Sequence, residues 1–211
     1  MKEFKHLPGL DLIRVFGILV VVFYHYQVET AVRGLCPADF LPAMEPLVQV
    51  AVYTMTLLSG SCLCWQEKSR SWSMKRYLWG RFLAIYPLFW LCFFPIFIYS
   101  DIICGNNEGV APWKLLLSIV GVDGYFQSFT PTFYKIGEWY LGCILFLYAV
   151  FPVLWRMIRR RGVVFAAVGA LFAWLACCFV ENPGQLYPTL IGQLPLFFMG
   201  IFLGGCLPSL W

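Results

Sequence analysis

Asp11, Arg14 and His25 stand inside one long apolar run near the start of the chain. An ionisable side chain at the centre of such a run costs ~2.5–3.5 kcal/mol on insertion scales, so each is a functional candidate by default. Arg14 and His25 are eleven residues apart. That is three turns of an α-helix, which puts them on one face about 16 Å apart along the axis. Asp11 lies three residues before Arg14, close enough to pair with it along the helix. Arg81 sits in the run Arg-Phe-Leu-Ala-Ile-Tyr-Pro-Leu-Phe-Trp, residues 81–90, where Pro87 removes a helical hydrogen bond and is expected to kink the helix. Glu138 follows Gly137 and precedes Trp139 and Tyr140. An imidazole is a general base or nucleophile near neutral pH, and a carboxylate beside it orients its tautomer and stabilises its cation. A guanidinium is the natural partner of phosphate. Plainer readings exist for each residue. Arg14 and Arg81 fit charge anchors that reach to lipid headgroups. His25 fits an interfacial histidine between Tyr24 and Tyr26, and Glu138 fits a carboxylate favoured at a helix start.

The elements that must position these residues follow from the apolar pattern. The chain has 211 residues, 61% hydrophobic and 12% charged. A soluble domain carries about 25% charged residues and cannot hide this much apolar surface in one core. The fold class is therefore all-α, a polytopic transmembrane helix bundle within a single domain covering residues 1–211. A spanning helix needs about 20 largely apolar residues. Six stretches qualify: Leu10–Glu29, Leu47–Trp65, Tyr77–Ser100, Gly137–Trp155, Val163–Val180 and Tyr187–Leu207. A shorter apolar stretch, Trp113–Val122, ends near Gly121 and Gly124 and reads as an interfacial or re-entrant helix. The first apolar run has no small-residue cleavage site before the next span, so it reads as an anchor and not a cleaved signal.

Charge gives the bundle a direction. Lys2 and Lys5, then Lys68, Arg70, Lys75 and Arg76, then Arg156, Arg159, Arg160 and Arg161 fall in alternate connecting segments, which all lie on one side of the membrane. The other loops hold most of the loop carboxylates, among them Glu29, Asp39, Glu45, Asp101, Glu108, Asp123 and Glu181. By the positive-inside rule both ends are cytoplasmic. The net charge of +4 is small, and nucleic acid is not an expected partner. The nine cysteines show neither a disulfide framework nor a zinc-ligand spacing, and most read as small buried hydrophobes. No metal site and no bound cofactor are expected.

With this direction, Arg14 and Arg81 lie near the inner surface, and His25 and Glu138 near the outer one. The layout suits an acyl-coenzyme A, which has phosphates at one end and a thioester at the end of a long arm. Membrane lipid is the surrounding partner. A secondary transporter also uses intramembrane Arg, His and Glu, but the paired, interrupted spans that usually accompany one are not visible as a repeat.

The sequence resembles the membrane acyltransferase-3 family, whose members O-acylate bacterial cell-surface glycans and related molecules. Leu10-Asp11-Leu12-Ile13-Arg14, followed after ten residues by His25, resembles the family's first-span Arg-x10-His signature, with Leu12 in place of a common glycine. Leu58-Ser59-Gly60 resembles a second-span motif. Residues 81–90 resemble the family's Arg-Phe-Leu-Arg-Ile-Tyr-Pro-Leu-Tyr-Trp, with Ala84 where a second arginine is frequent. Gly137-Glu138-Trp139-Tyr140 with Phe151-Pro152, and Leu196–Gly204, match in family order. The resemblance implies catalytic roles for His25 and Glu138 and acyl-donor binding by Arg14 and Arg81. Asp11, Tyr86 and Trp139 are then supporting residues. It implies acetyl-CoA or another acyl-CoA as co-substrate, a glycan or other hydroxyl as acceptor, and a multi-pass protein of the bacterial plasma membrane. Family members usually have more spans than this chain has room for. The chain is therefore expected to be incomplete at its C-terminal side relative to the family, and a non-catalytic remnant stands as a further alternative.

Overall fold

In lipid, backbone N–H and C=O groups have no water to bind, so each apolar segment must satisfy its own hydrogen bonds as a helix. The computed structural model describes residues 8–35, 37–68, 72–106, 109–126, 129–136, 138–179 and 189–206. Their regular structure is all helical. The α-helices are α1 (Pro8–Val32), α2 (Leu41–Lys68), α3 (Met74–Phe97), α4 (Leu115–Val120), α5 (Trp139–Arg161), α6 (Val164–Cys178) and α7 (Leu190–Cys206). The all-α expectation holds.

Among the described residues, each of the six stretches expected to span falls on a helix, but the lengths differ; Gly137, Val180, Tyr187, Pro188 and Leu207 lie outside those residues. Among the described residues, four helices are long and apolar enough to cross a membrane: α1, α2, α3 with its extension to Ile103, and α5. The helices α6 and α7 have 15 and 17 residues. At 1.5 Å per residue the described parts reach about 22 and 25 Å, against a hydrocarbon core of about 30 Å. The four long helices differ in cover. The most apolar windows of α1 and α3 are only 11% buried, against 50% for α2 and 44% for α5. Bare apolar faces on α1 and α3 suit contact with lipid chains.

The expected short helix is also present. A 3-10 turn at Pro112–Lys114 leads into α4, and Gly121, at φ 79, ends it. Its N–H returns to Leu117 and Ser118, the left-handed stop that glycine adopts without strain. Helix α3 continues through Pro87 and Pro95, and a π-helical turn follows at Ile98–Ile103.

The described residues fall into two compact units, with the boundary inside α5 between Leu154 and Trp155. The first draws on Met1–Ser71 and Trp155–Trp211, the second on Trp72–Leu154. In the first, α1 packs on α2 through Val20, Val48 and Ala51, with Val21 and Tyr24 against them. Helices α2 and α7 approach until backbones touch. A Cβ on Gly60 would overlap the Phe197 carbonyl, one on Gly200 the Leu57 carbonyl, and one on Gly204 the Ser61 carbonyl. Small residues at this spacing let helices meet where no hydrophobic gain over lipid drives them. Polar bonds cross the same seam: Ser61 donates to the Gly200 carbonyl at 2.9 Å, and Thr56 to Gln193 Oε1 at 2.7 Å. The Leu58-Ser59-Gly60 motif and the Gly200–Gly204 motif are thus two halves of one packing contact.

The second unit is built on aromatics. Phe89, Phe93 and Phe133 form its core, joined by Tyr86, Trp90, Ile136 and Leu141. Two side chains of α3 tie it to α4: Tyr86 donates to the Val120 carbonyl at 3.0 Å and Trp90 to the Ile119 carbonyl at 2.9 Å.

Candidate active site

Within the first unit, Arg14 and His25 lie on one unbroken helix, as their spacing requires. Gly17 and Val20 are buried against α2, whereas Arg14 is half-buried and His25 exposed. The Arg14 guanidinium donates to Asp11 Oδ1 at 3.1 Å, as expected for that spacing. It also donates to Cys62 Sγ at 2.9 Å on α2, a partner not foreseen because only the packing of α1 on α2 brings it near. Asp11 and Cys62 fix the direction of an arginine that keeps 39% of its side chain accessible. His25 meets the ring of Tyr24 edge-on at 5.8 Å, and its side chain is exposed.

The second unit holds Arg81, Tyr86, Glu138 and Trp139. The Arg81 guanidinium lies over the Tyr148 ring, 5.5 Å from its centre. It borders a cavity of about 160 Å³ lined by Tyr77, Phe82, Tyr86 and Tyr148, among others. A cation set in an aromatic-walled hollow can hold an anionic group while the walls take an apolar chain. Tyr86 belongs to a ladder of rings along α3, 5.1 Å from Phe82 and 5.2 Å from Trp90. Its hydroxyl is committed to the Val120 carbonyl, which makes it a brace for this wall.

Glu138 precedes α5 by one residue and is 2% exposed. Its carboxylate accepts from two backbone amides, Lys135 N–H at 3.2 Å and Ile136 N–H at 3.3 Å. Burial raises its proton affinity, and the nearby Asp123 charge raises it further, while the backbone bonds work the other way. Trp139 is pinned at the backbone: a Cβ on Gly124 would lie 2.6 Å from Trp139 Cα, so the Asp123–Tyr125 turn sits directly on the start of α5.

Two carboxylates read from the sequence as loop residues are in fact buried. Asp101 lies in the π-helical turn, 6% exposed, and Asp123 is fully buried. Neither oxygen of Asp123 makes a hydrogen bond of normal geometry among the described residues. Burial raises its proton affinity, partly offset by nearby Ser118 and the Gly124 amide. Lys135 also went unnoticed in the sequence, where its position three residues before Glu138 was the one available signal. No group of three or more His, Cys, Asp or Glu that could hold a metal occurs among the described residues.

Apolar spanning helices with ionisable groups on and between them define a membrane protein. The acyltransferase-3 profile, described as an acyltransferase domain, matches residues 7–206, and the chain belongs to that family. It is 26% identical to Acyltransferase MdmB of Streptomyces mycarofaciens over 191 residues, which is 83% of this chain and 47% of that protein. The chain thus spans about half the length of the curated relative it matches. No solved structure matches it.

Proposed function

We propose that this chain carries the acyl-transfer machinery of a multi-pass membrane O-acyltransferase, with six membrane-embedded helices and a cytoplasmic N-terminus. It moves an acyl group, acetyl in the simplest case, from cytoplasmic acyl-CoA to a hydroxyl of an extracytoplasmic glycan or related acceptor. The observation that carries this reading is on α1. A braced, half-accessible arginine and an open histidine share a face three helical turns apart, in a chain of an acyltransferase family.

Arg14 and Arg81 bind the donor's phosphates as charge-assisted hydrogen-bond donors. His25 acts as general base. Its neutral imidazole takes the acceptor hydroxyl proton as that oxygen attacks the thioester carbonyl. The carbon–sulfur bond breaks, the coenzyme A thiolate leaves, and the imidazolium returns the proton to it. Transient acylation of the imidazole followed by transfer gives the same balance in two steps. Glu138 is assigned to catalysis through its motif and its amide-held carboxylate.

The test is transfer of label from acetyl-CoA to the glycan fraction of inverted membrane vesicles containing the chain. His25→Ala should abolish labelling while the protein still inserts. Full labelling by that variant would overturn the assignment.

A further inference from the structure

The segment that leads into α5 is tied to the end of α3 by a buried ion pair. Lys135 Nζ lies 3.1 Å from Asp101 Oδ1, with the two side chains 19% and 3% exposed. It also reaches Ser100 Oγ at 3.4 Å. Both partners sit in the π-helical turn Ile98–Ile103. Such turns are rare and gather at functional sites, because the extra residue re-aims side chains that an α-helix would point elsewhere. Here the turn presents Ser100 and Asp101 together to one ammonium group.

Lys135 has a second attachment. Its own backbone N–H, with that of Ile136, holds the two oxygens of Glu138. The side chain therefore fixes to α3 the same peptide segment whose amides fix the carboxylate. A buried ion pair is seldom a net source of stability, since desolvation of both charges offsets their attraction. That leaves geometry as the gain: one defined position for residues 135–136.

We propose that Asp101 and Lys135 are positioning residues that hold Glu138 in its working orientation. The inference rests on the reading of Glu138 as catalytic, and its test separates the two. The variant of choice is D101N/K135M in the whole chain in nanodiscs. It removes both charges together and leaves neither partner as an unpaired buried charge, so it is expected to fold where a single change risks failure.

Hydrogen exchange at the amides of residues 135 and 136 should quicken by about tenfold or more in that variant. The kcat for acetyl transfer from acetyl-CoA should fall about 10-fold to 100-fold, the scale of a small misplacement of a reacting group, with the donor KM unchanged. The exchanged pair, D101K/K135D, should restore much of both. Unchanged amide exchange in the folded double variant would overturn the proposal. So would full kcat in D101N/K135M alongside losses in the single variants, because the pair would then serve only to cancel charge. If E138Q keeps full kcat, the catalytic reading of Glu138 fails, while the exchange measurement still decides the positioning claim.

Discussion

Each of the two compact units is held together internally by different means. In the first, α2 and α7 meet through glycines, and backbone lies on backbone. Arg14 and His25, the residues proposed to carry the chemistry, stand at the edge of a packed stripe on α1 and remain accessible. In the second, an aromatic core carries buried charged groups. Asp101, Asp123 and Glu138 are buried, Lys135 is tied to the π-helical turn, and Tyr86 and Trp90 are committed to carbonyls. Contact residues and chemical residues are separable in one unit and the same residues in the other. Substitutions should respect that division: in the first unit stability and activity should come apart, and in the second they should move together.

The largest effect is expected at the glycine seam. Gly200→Val places a branched side chain against the Leu57 carbonyl, where even a Cβ overlaps. Overpacking of this kind costs ~3 kcal/mol or more, and backbone has little room to yield. Thermal unfolding in detergent should show a large loss of melting temperature or no folded protein. The counterpart in the same unit is His25→Ala. It should leave the melting temperature within the error of measurement, because the imidazole is exposed. Its activity should fall by about 10²–10⁴, the usual contribution of a general base. A melting temperature that falls with activity in His25→Ala would break the division proposed for this unit.

The same contrast explains what the sequence disclosed. The Arg14–His25 spacing, the Asp11–Arg14 pair and the small-residue motifs are properties of single helices, which hydropathy and a 3.6-residue period reveal. The short α4 was visible too, since Gly121 supplies its stop. The length of α6 was overread, because apolar character continues beyond the hydrogen-bonded helix. The buried network of the second unit was not legible. Asp101 and Asp123 are hydrophilic in any linear scan, and only the packing of short segments onto α3 and α5 buries them. The Arg14–Cys62 contact was hidden for the same reason, being a product of how α1 meets α2.

Intermediate effects belong to the arginines. Arg14→Ala should raise the KM for acetyl-CoA about 10-fold to 100-fold, the equivalent of ~1.5–3 kcal/mol for a hydrogen bond to a charged group. Its kcat should change little, because a phosphate contact far from the thioester acts equally on ground and transition states. Arg81→Ala should weaken donor binding in the same direction and also lower the melting temperature, since Arg81 packs on Tyr148 and borders the aromatic cavity. Steady-state kinetics paired with thermal unfolding checks both. An Arg81→Ala protein as stable as the parent would weaken the contrast between the units.

The smallest effect is the most specific to the second unit. Burial holds the proton affinity of Asp123 above the ordinary carboxylate value of about 3.9. The folded chain therefore keeps a proton over a pH range in which the unfolded chain has released it. Stability contributed by that proton is full below about pH 4 and declines as pH rises through the folded-state value. Asparagine has no proton to lose and matches the neutral acid in shape. Asp123→Asn should equal the parent in melting temperature near pH 4 and exceed it at neutral pH. Each kcal/mol recovered raises the melting temperature about 2–4 °C in a chain of this size. Removing the neighbouring charge should also bring the proton affinity of Glu138 down toward its usual range, because that charge is the second cause of its rise. A variant less stable than the parent at every pH would mean that the Asp123 carboxylate is a net stabilising contact. The second unit would then be held by its buried charges and not merely organised by them.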